Sequence, residues 1–544
     1  MMSSGGVYWR GGARGLGFPA PILLAAAAAL LPATMGLAGA AEDSAPVPLS
    51  LAQSGTARLL PERLLGASAE PFYEHLIGNP VKQGILAALN PAYVRFPGGT
   101  QSNYYDWKSG LIFVTGYPNS SAYTNFWVGL SRRVDATFPN GIFFEQFKPF
   151  ADAIGADVVL VPNLETSTVA DQVAWFSRLA SEGIVPTHIE LGNEFWIAMG
   201  GDPNVEAKWP DEPTSMAIMQ QYLDAFRPYL PPGAKAAVQA APGAFMFLPS
   251  DPGAFYARLR QWNDDLAPAG WFDAVTTHLY SRLDQVTGDP NANVEPVTSA
   301  TVQRNFPAMM AHYDDGADAA LADLESRLPG KEIWITEWNG QGQSSWQPGQ
   351  TQPVTPPMQL QIVTRMELAC LRHASVTVNL YFSLNFLTSA APYDFVPDGS
   401  GGYLPVPTTV ALGWFFEAAN GGATFQRLVE PAAPRVSGGG ALPETYAEVE
   451  AASFIGADRV TMIVQNAGAD SRSIDLTAIR GAAPSEIDQL VSPDLTDMTL
   501  RPAVVATLAP AQVLTLPAYS VTRVIWDIEP SVVRRHLLRA SPAP

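Results

Sequence analysis

Between about residue 60 and residue 420 the chain alternates short, continuously apolar runs with longer amphipathic stretches. No other feature restricts the fold as much. The runs lie at 63–68, 92–96, 157–163, 188–191, 235–240, 272–278, 332–336 and 376–381, with helical periodicity at 77–89, 168–183 and 214–229. A strand apolar along its whole length is covered on both faces, as in a parallel sheet enclosed by helices. Eight such units predict an α/β fold, a (β/α)8 TIM barrel, over residues 61–424. The competing doubly wound sheet needs a glycine fingerprint after its first strand, and none follows Ser68.

After residue 425 the rhythm changes. Strand-like segments at 445–455, 459–465, 471–476, 513–516 and 520–527 follow one another without a helical interval, punctuated by Gly, Asn and Pro. They predict a C-terminal antiparallel β-sandwich over 425–528, which the strand-like segment 41–60 joins from the other end of the chain. Residues 529–544 read as a disordered tail. Residues 1–40 read as a cleaved signal peptide: Arg10 and Arg14 are followed by the apolar stretch 22–31 and by Ala38-Gly39-Ala40. About ten apolar residues are too few to cross a bilayer, which needs about twenty. The mature chain is therefore expected to have no membrane span and to be secreted or periplasmic.

Composition excludes several classes of function. With 47% apolar and 15% charged residues the chain is not disordered. Its one cysteine, Cys370, rules out a disulfide scaffold or a cysteine-ligated metal. A net charge of −19 argues against nucleic acid as a partner and weighs against a heavily sulfated polysaccharide. The histidines His75, His188, His278, His312, His373 and His536 show no H-x-H or H-x-x-x-H grouping. No metal site is expected, and no cofactor. Neither a phosphate-binding glycine loop nor a G-x-S-x-G elbow is present.

Two segments each place a glutamate just after a buried strand. They are Ile189-Glu190-Leu191-Gly192-Asn193-Glu194-Phe195-Trp196 and Trp334-Ile335-Thr336-Glu337-Trp338-Asn339. The carboxyl ends of all barrel strands open on one face, so Glu194 and Glu337 should meet in one mouth, at the fourth and seventh strands. Glycosidic cleavage needs such a pair, one carboxyl protonated to assist the leaving group and one ionised to attack. Either glutamate alone would read as a salt bridge at a strand end. The pair, with Asn193, Trp196 and Trp338 beside it, reads as a site for carbohydrate.

The Asn193-Glu194 and Glu337-Trp338 pairs resemble the retaining glycoside hydrolases of clan A. That resemblance implies Glu194 as general acid/base, Glu337 as nucleophile, and Asn193 as a donor to the sugar 2-hydroxyl. Arg95-Phe96-Pro97-Gly98-Gly99-Thr100, with Asn103-Tyr104-Tyr105-Asp106-Trp107 after it, is similar to a segment of the family 51 α-L-arabinofuranosidases. It is also similar to the glycine-pair segment of family 79, the β-glucuronidase/heparanase family, and more loosely to family 44 endoglucanases. Thr277-His278-Leu279-Tyr280 resembles the clan's His-x-Tyr element, which implies His278 near the sugar hydroxyls and Tyr280 bonded to the nucleophile. Leu516-Pro517-Ala518-Tyr519-Ser520-Val521 resembles the closing strand of the family 51 and 79 sandwich. The path from Glu194 to Glu337 is longer than those families have, the excess falling at 200–213 and 281–300.

From the residues themselves, Arg95 can brace a carboxylate, and the glycines at 98 and 99 let backbone approach a sugar. Tyr104, Trp107, Trp196, Trp338 and Trp346 follow strands and are expected to offer stacking faces, whereas Trp262, Trp334 and Trp414 are expected to pack. Arg282 is a candidate partner for a uronate carboxylate. The expected function is a retaining hydrolase of O-glycosidic bonds, arabinofuranosidase-like or glucuronidase-like. An endo-acting glucanase or xylanase and a non-catalytic carbohydrate-binding barrel are the alternatives.

Overall fold

The structure, a computed structural model, describes residues 48–69, 71–112, 140–200, 207–246, 254–281, 283–293, 295–340, 354–386, 394–430, 435–480 and 483–528. The signal segment, the tail 529–544, Arg282 and Trp346 lie outside the described residues. No helix among the described residues is long and apolar enough to cross a membrane.

An N-terminal strand, β1 (Ala52–Leu59), precedes eight parallel barrel strands. These are β2 (Leu65–Ala67), β3 (Tyr93–Phe96), β4 (Asp157–Leu160), β5 (His188–Glu190), β6 (Lys235–Gln239), β7 (Ala274–Tyr280), β8 (Glu332–Asn339) and β9 (Val376–Tyr381). They match the eight apolar runs with ends shifted by a few residues. Their order around the barrel is β2-β9-β8-β7-β6-β5-β4-β3. The Ala92 amide donates to the Leu65 carbonyl at 2.7 Å and draws β3 against β2, so the ring closes.

Tyr93, Val159, Ala237, Ala274, Trp334, Val378 and Leu380, all on barrel strands, form one buried apolar cluster. Above that cluster, toward the carboxyl ends of the strands, the inward side chains become polar. Helices alternate with the strands and are capped by local sequence. Asn79 caps Pro80–Leu89, Thr168 caps Val169–Glu182, and Asp211 caps Glu212–Phe226, each accepting from a first-turn amide.

Together with β1, the C-terminal sheets are built from β10 (Thr424–Val429), β11 (Val449–Ile455), β12 (Arg459–Asn466), β13 (Arg472–Asp475), β14 (Glu486–Val491), β15 (Ala506–Leu508), β16 (Val513–Leu516) and β17 (Ser520–Asp527). The main sheet is antiparallel in the order β1-β10-β11-β12-β17-β14-β15, and β13 pairs with β16 in a second, smaller sheet. Strand β1 thus joins the C-terminal sheet, pairing with β10 from Ala52↔Val429 to Leu59↔Thr424.

Both faces of the main sheet are covered. Val460, Met462, Val464 and Val524 pack with Ile474, Leu514 and Leu516 of the smaller sheet. Phe425, Phe454, Ile463 and Val521 join the barrel's own core instead. The Gln465 amide donates to the Gln361 carbonyl at 2.6 Å, on the barrel helix Pro356–Cys370.

An ionic cluster ties the two parts together. Asp314 lies in a π-helical turn, His312–Gly316, and is fully buried. Arg435 donates to it at 2.9 Å, Arg365 lies at 3.4 Å, and Arg372 holds its other oxygen. Arg365 also donates to Glu450 of β11 at 2.6 Å. Burial alone would raise the Asp314 pKa, but Arg365, Arg372 and Arg435 outweigh it and bring it down to about 2. A depressed carboxylate pKa gives stability that is complete above its unfolded value and is lost as pH falls through the folded one. Asp314→Asn should therefore lower the unfolding free energy at neutral pH by about 3–5 kcal/mol, as expected when one partner leaves a buried ionic cluster. It should also flatten the loss of stability between about pH 4 and pH 2. Urea titrations at pH 7 and pH 3 measure both effects, and an unchanged midpoint at pH 7 would refute the first.

Candidate active site

Glu194 follows β5 through a tight turn. Gly192 has φ +85°, and a side chain there would lie 2.2 Å from the Phe195 ring. Glu194 itself has φ +54°, a conformation that costs a non-glycine residue about 1–3 kcal/mol and persists only when neighbours enforce it. Here Gln239 of β6 enforces it. Its carbonyl oxygen accepts from the Phe195 amide at 2.8 Å, and its amide donates to the Leu191 carbonyl at 3.0 Å.

Glu337 is aimed by a β-bulge. Against β7, Ile335 pairs with Thr277 but Glu337 pairs with His278, so the register slips by one residue. A regular pleat would turn Thr336 and Glu337 to opposite faces. Instead both meet interior partners, and Trp338 is turned outward against Tyr381 with ring centroids 5.4 Å apart. Gly99 makes room for the carboxylate, since a side chain there would sit 2.6 Å from Glu337 Oε1.

Arg95, wholly buried on β3, joins these parts. Its Nε and Nη2 donate to the two oxygens of Glu190 at 2.8 and 2.9 Å, and Nη2 also donates to Asn193 Oδ1 at 2.7 Å. Its Nη1 donates to Glu337 Oε1. Tyr280 donates to the other oxygen of Glu337 at 2.8 Å. With its oxygen held by Arg95, the Asn193 amide nitrogen faces Thr100 Oγ1 at 3.4 Å. Asn103 donates to the Asn193 carbonyl at 3.0 Å.

His278 spans the acidic groups. Its Nδ1 lies 2.8 Å from Glu194 Oε1 and 3.7 Å from Glu337 Oε2, and its Nε2 lies 3.1 Å from Thr336 Oγ1. Burial works against charge on this imidazole. Glu337, Glu190 and Glu194 outweigh burial and push its pKa up to about 10. Burial likewise opposes charge on Glu190, but Arg95 and His278 hold its carboxyl below the usual range. Burial and then Glu337 push the Tyr280 hydroxyl well above its ordinary value, so it remains a donor.

The structure thus brings together Glu194, Glu337, Asn193, Tyr280, His278 and Arg95. Ligand atoms of Glu194, His278 and Glu337 lie within 4.8 Å of one another, the spacing a metal ion could use. Arg95 already stands against Glu337, and His278 is biased toward its cation, so positive charge from the chain itself occupies this group.

Of the four tryptophans expected to offer stacking faces, the three among the described residues are placed otherwise. Trp107 lies parallel to Trp175 at 6.5 Å, and its indole N–H donates to Asp171 at 3.2 Å. Trp196 is buried in the turn after Glu194, its carbonyl accepting from Arg258 at 3.0 Å. Trp338 is buried because the bulge sends Glu337, not its neighbour, into the mouth. Tyr104 is buried as well, and Trp262, Trp334 and Trp414 pack as expected. Glu190, Thr336 and Gln239 were not anticipated from the sequence. One signal for Glu190 was available: a buried arginine in the strand Tyr93-Val94-Arg95-Phe96 requires an anion from another strand.

No protein-family model and no curated protein matches the sequence. Solved structures do share the fold. The GH51 arabinofuranosidase from Xanthomonas axonopodis pv. citri superposes with a TM-score of 0.59 at 15% identity, over 88% of this chain and 98% of that one. The family 51 α-L-arabinofuranosidase from Bifidobacterium longum gives 0.58 at 16%, over 88% and 100%. The 4-O-α-L-rhamnosyl-β-D-glucuronidase from Fusarium oxysporum 12S gives 0.54 at 16%, over 88% and 100%. The (β/α)8 barrel with its β-sandwich is therefore the fold that these glycoside hydrolase structures carry, as the sequence resemblance implied.

Proposed function

We propose that the chain is an exported retaining glycoside hydrolase that cleaves O-glycosidic bonds of plant or microbial oligo- or polysaccharides. The observation that carries this reading is the pair of glutamates at one barrel mouth, with oxygens within 4.8 Å of each other. That separation suits double displacement, for which carboxyl groups stand about 5–5.5 Å apart, rather than inversion, which needs room for a water between them.

The two carboxyls differ in surroundings as their roles require. Glu337 accepts from Arg95 and Tyr280, two donors that fix the direction of its carboxylate as a nucleophile needs. Glu194 is the more exposed, with 16% of its side chain accessible against 8% for Glu337, on the path of leaving group and water. Glu337 attacks the anomeric carbon while Glu194 gives its proton to the departing oxygen, leaving a glycosyl ester on Glu337. Glu194 then takes a proton from water, whose oxygen attacks the same carbon and frees Glu337. The Asn193 amide nitrogen serves the sugar 2-hydroxyl, and no cofactor takes part.

The fold likeness to arabinofuranosidases and to a glucuronidase directs the test. Purified protein is assayed with 4-nitrophenyl α-L-arabinofuranoside, β-D-glucuronide, β-D-glucoside, β-D-xyloside and β-D-galactoside. A hit on the first or second assigns the specificity. Silence on all five, together with failure to shorten long glycans, would leave a carbohydrate-binding barrel.

A further inference from the structure

Glu190 is a charged group that the two-step reaction does not use. It ends β5, is fully buried, and so touches no substrate. Its oxygens accept from Arg95 at 2.8 and 2.9 Å, Thr336 donates to Oε1 at 3.1 Å, and His278 Nε2 lies 3.7 Å from the same oxygen.

This arrangement has a geometric effect. A carboxylate that takes two parallel bonds from a guanidinium fixes its plane. The remaining nitrogen, Nη1, is then directed at Glu337, and Nη2 reaches Asn193. Without Glu190 the guanidinium could turn away from both.

It also has an electrostatic effect. The charged and titratable groups around the pair are Arg95 from β3, Glu190 from β5, His278 and Tyr280 from β7, and Glu337 from β8. When Glu194 carries the proton it will donate, the cations Arg95 and His278 are balanced by the anions Glu337 and Glu190. Remove the charge of Glu190 and the two cations face one anion fewer, so His278 has less to hold its proton.

We propose that Glu190 is a positioning and charge-balancing residue, one that aims Arg95 at Glu337 and offsets the positive charge of Arg95 and His278. The inference rests on the two-glutamate reading of Glu194 and Glu337.

The test is Glu190→Gln in the full chain, with two readouts. On the 4-nitrophenyl glycoside that the enzyme cleaves, the basic limb of the kcat/KM profile should move down by about one pH unit. In carbon-detected spectra of histidine-labelled protein, the His278 signal is assigned by its loss in His278→Gln. In the wild type it should remain imidazolium well above neutrality, titrating near pH 10, and in Glu190→Gln it should titrate at least about one unit lower. A residue that merely supported the fold would reduce activity and move neither readout, and that result overturns the proposal. If neither an aryl glycoside nor a long glycan is cleaved, the hydrolase reading fails while the histidine titration still judges Glu190. If the variant does not fold, a wild-type His278 that titrates below pH 7 overturns the proposal without it.

Discussion

Glu337→Gln should reduce kcat on any cleaved aryl glycoside by at least about four orders of magnitude, in the range seen when a nucleophile is removed from an enzyme. The amide keeps the shape of the carboxylate but carries no negative charge to attack the anomeric carbon. Its neighbours tolerate the change. The amide oxygen can still accept from Arg95, and the Tyr280 hydroxyl can reverse and accept from the amide nitrogen, so the folded structure should persist. The check is kcat/KM beside a urea midpoint. A variant within tenfold of wild type would remove Glu337 from the nucleophile's role. An inactive and unfolded variant would indicate that the Arg95 pair is needed for folding.

Glu194→Ala should divide substrates by their leaving groups. A 4-nitrophenolate departs with little help, so its first step should survive, whereas alkyl glycosides and natural linkages should lose about 10²–10⁴-fold, the share general-acid catalysis supplies. The second step also loses its base, so the glycosyl ester on Glu337 should accumulate and appear as a burst of nitrophenol followed by slow turnover. Azide, which needs no base, should restore turnover and give a glycosyl azide of the substrate's own anomeric configuration. Equal losses on activated and unactivated substrates would take the acid role from Glu194. With the general acid itself removed, the variant's pH profile should also lose its basic limb.

The barrel strands were legible because each is buried on both faces and therefore continuously apolar. The sandwich was less so. Strand β10, Thr424-Phe425-Gln426-Arg427-Leu428-Val429, and strand β14, Glu486-Ile487-Asp488-Gln489-Leu490-Val491, carry polar residues and are not among the strand-like segments of the sequence. In the structure these residues have partners across the sheet: Arg427 meets Glu450 and Asp488 meets Arg523. Glu194 and Glu337 could be placed from strand ends alone. The orientation of Trp338 could not, because it depends on a one-residue slip between β7 and β8 that the sequence of β8 does not announce. Trp196 and Trp107 follow strands, as a rim residue would, but internal partners claim them. Arg95 was read as a brace for a carboxylate, and the structure gives it two.

The placement of β1 bears on when the molecule can fold. Ser50, just before β1, donates to Glu430, 380 residues away, and β2 finds its neighbour β9 almost as late. At about 5–20 residues per second, roughly 20 to 80 s of synthesis separate the emergence of these partners. Until then the first strands have exposed edges and the barrel cannot close. A chain of this topology stays incomplete for most of its translation and completes both its barrel and its main sheet in the last third of the sequence. Such a delay lengthens the time during which apolar strands of the newly made chain lack the partners that bury them.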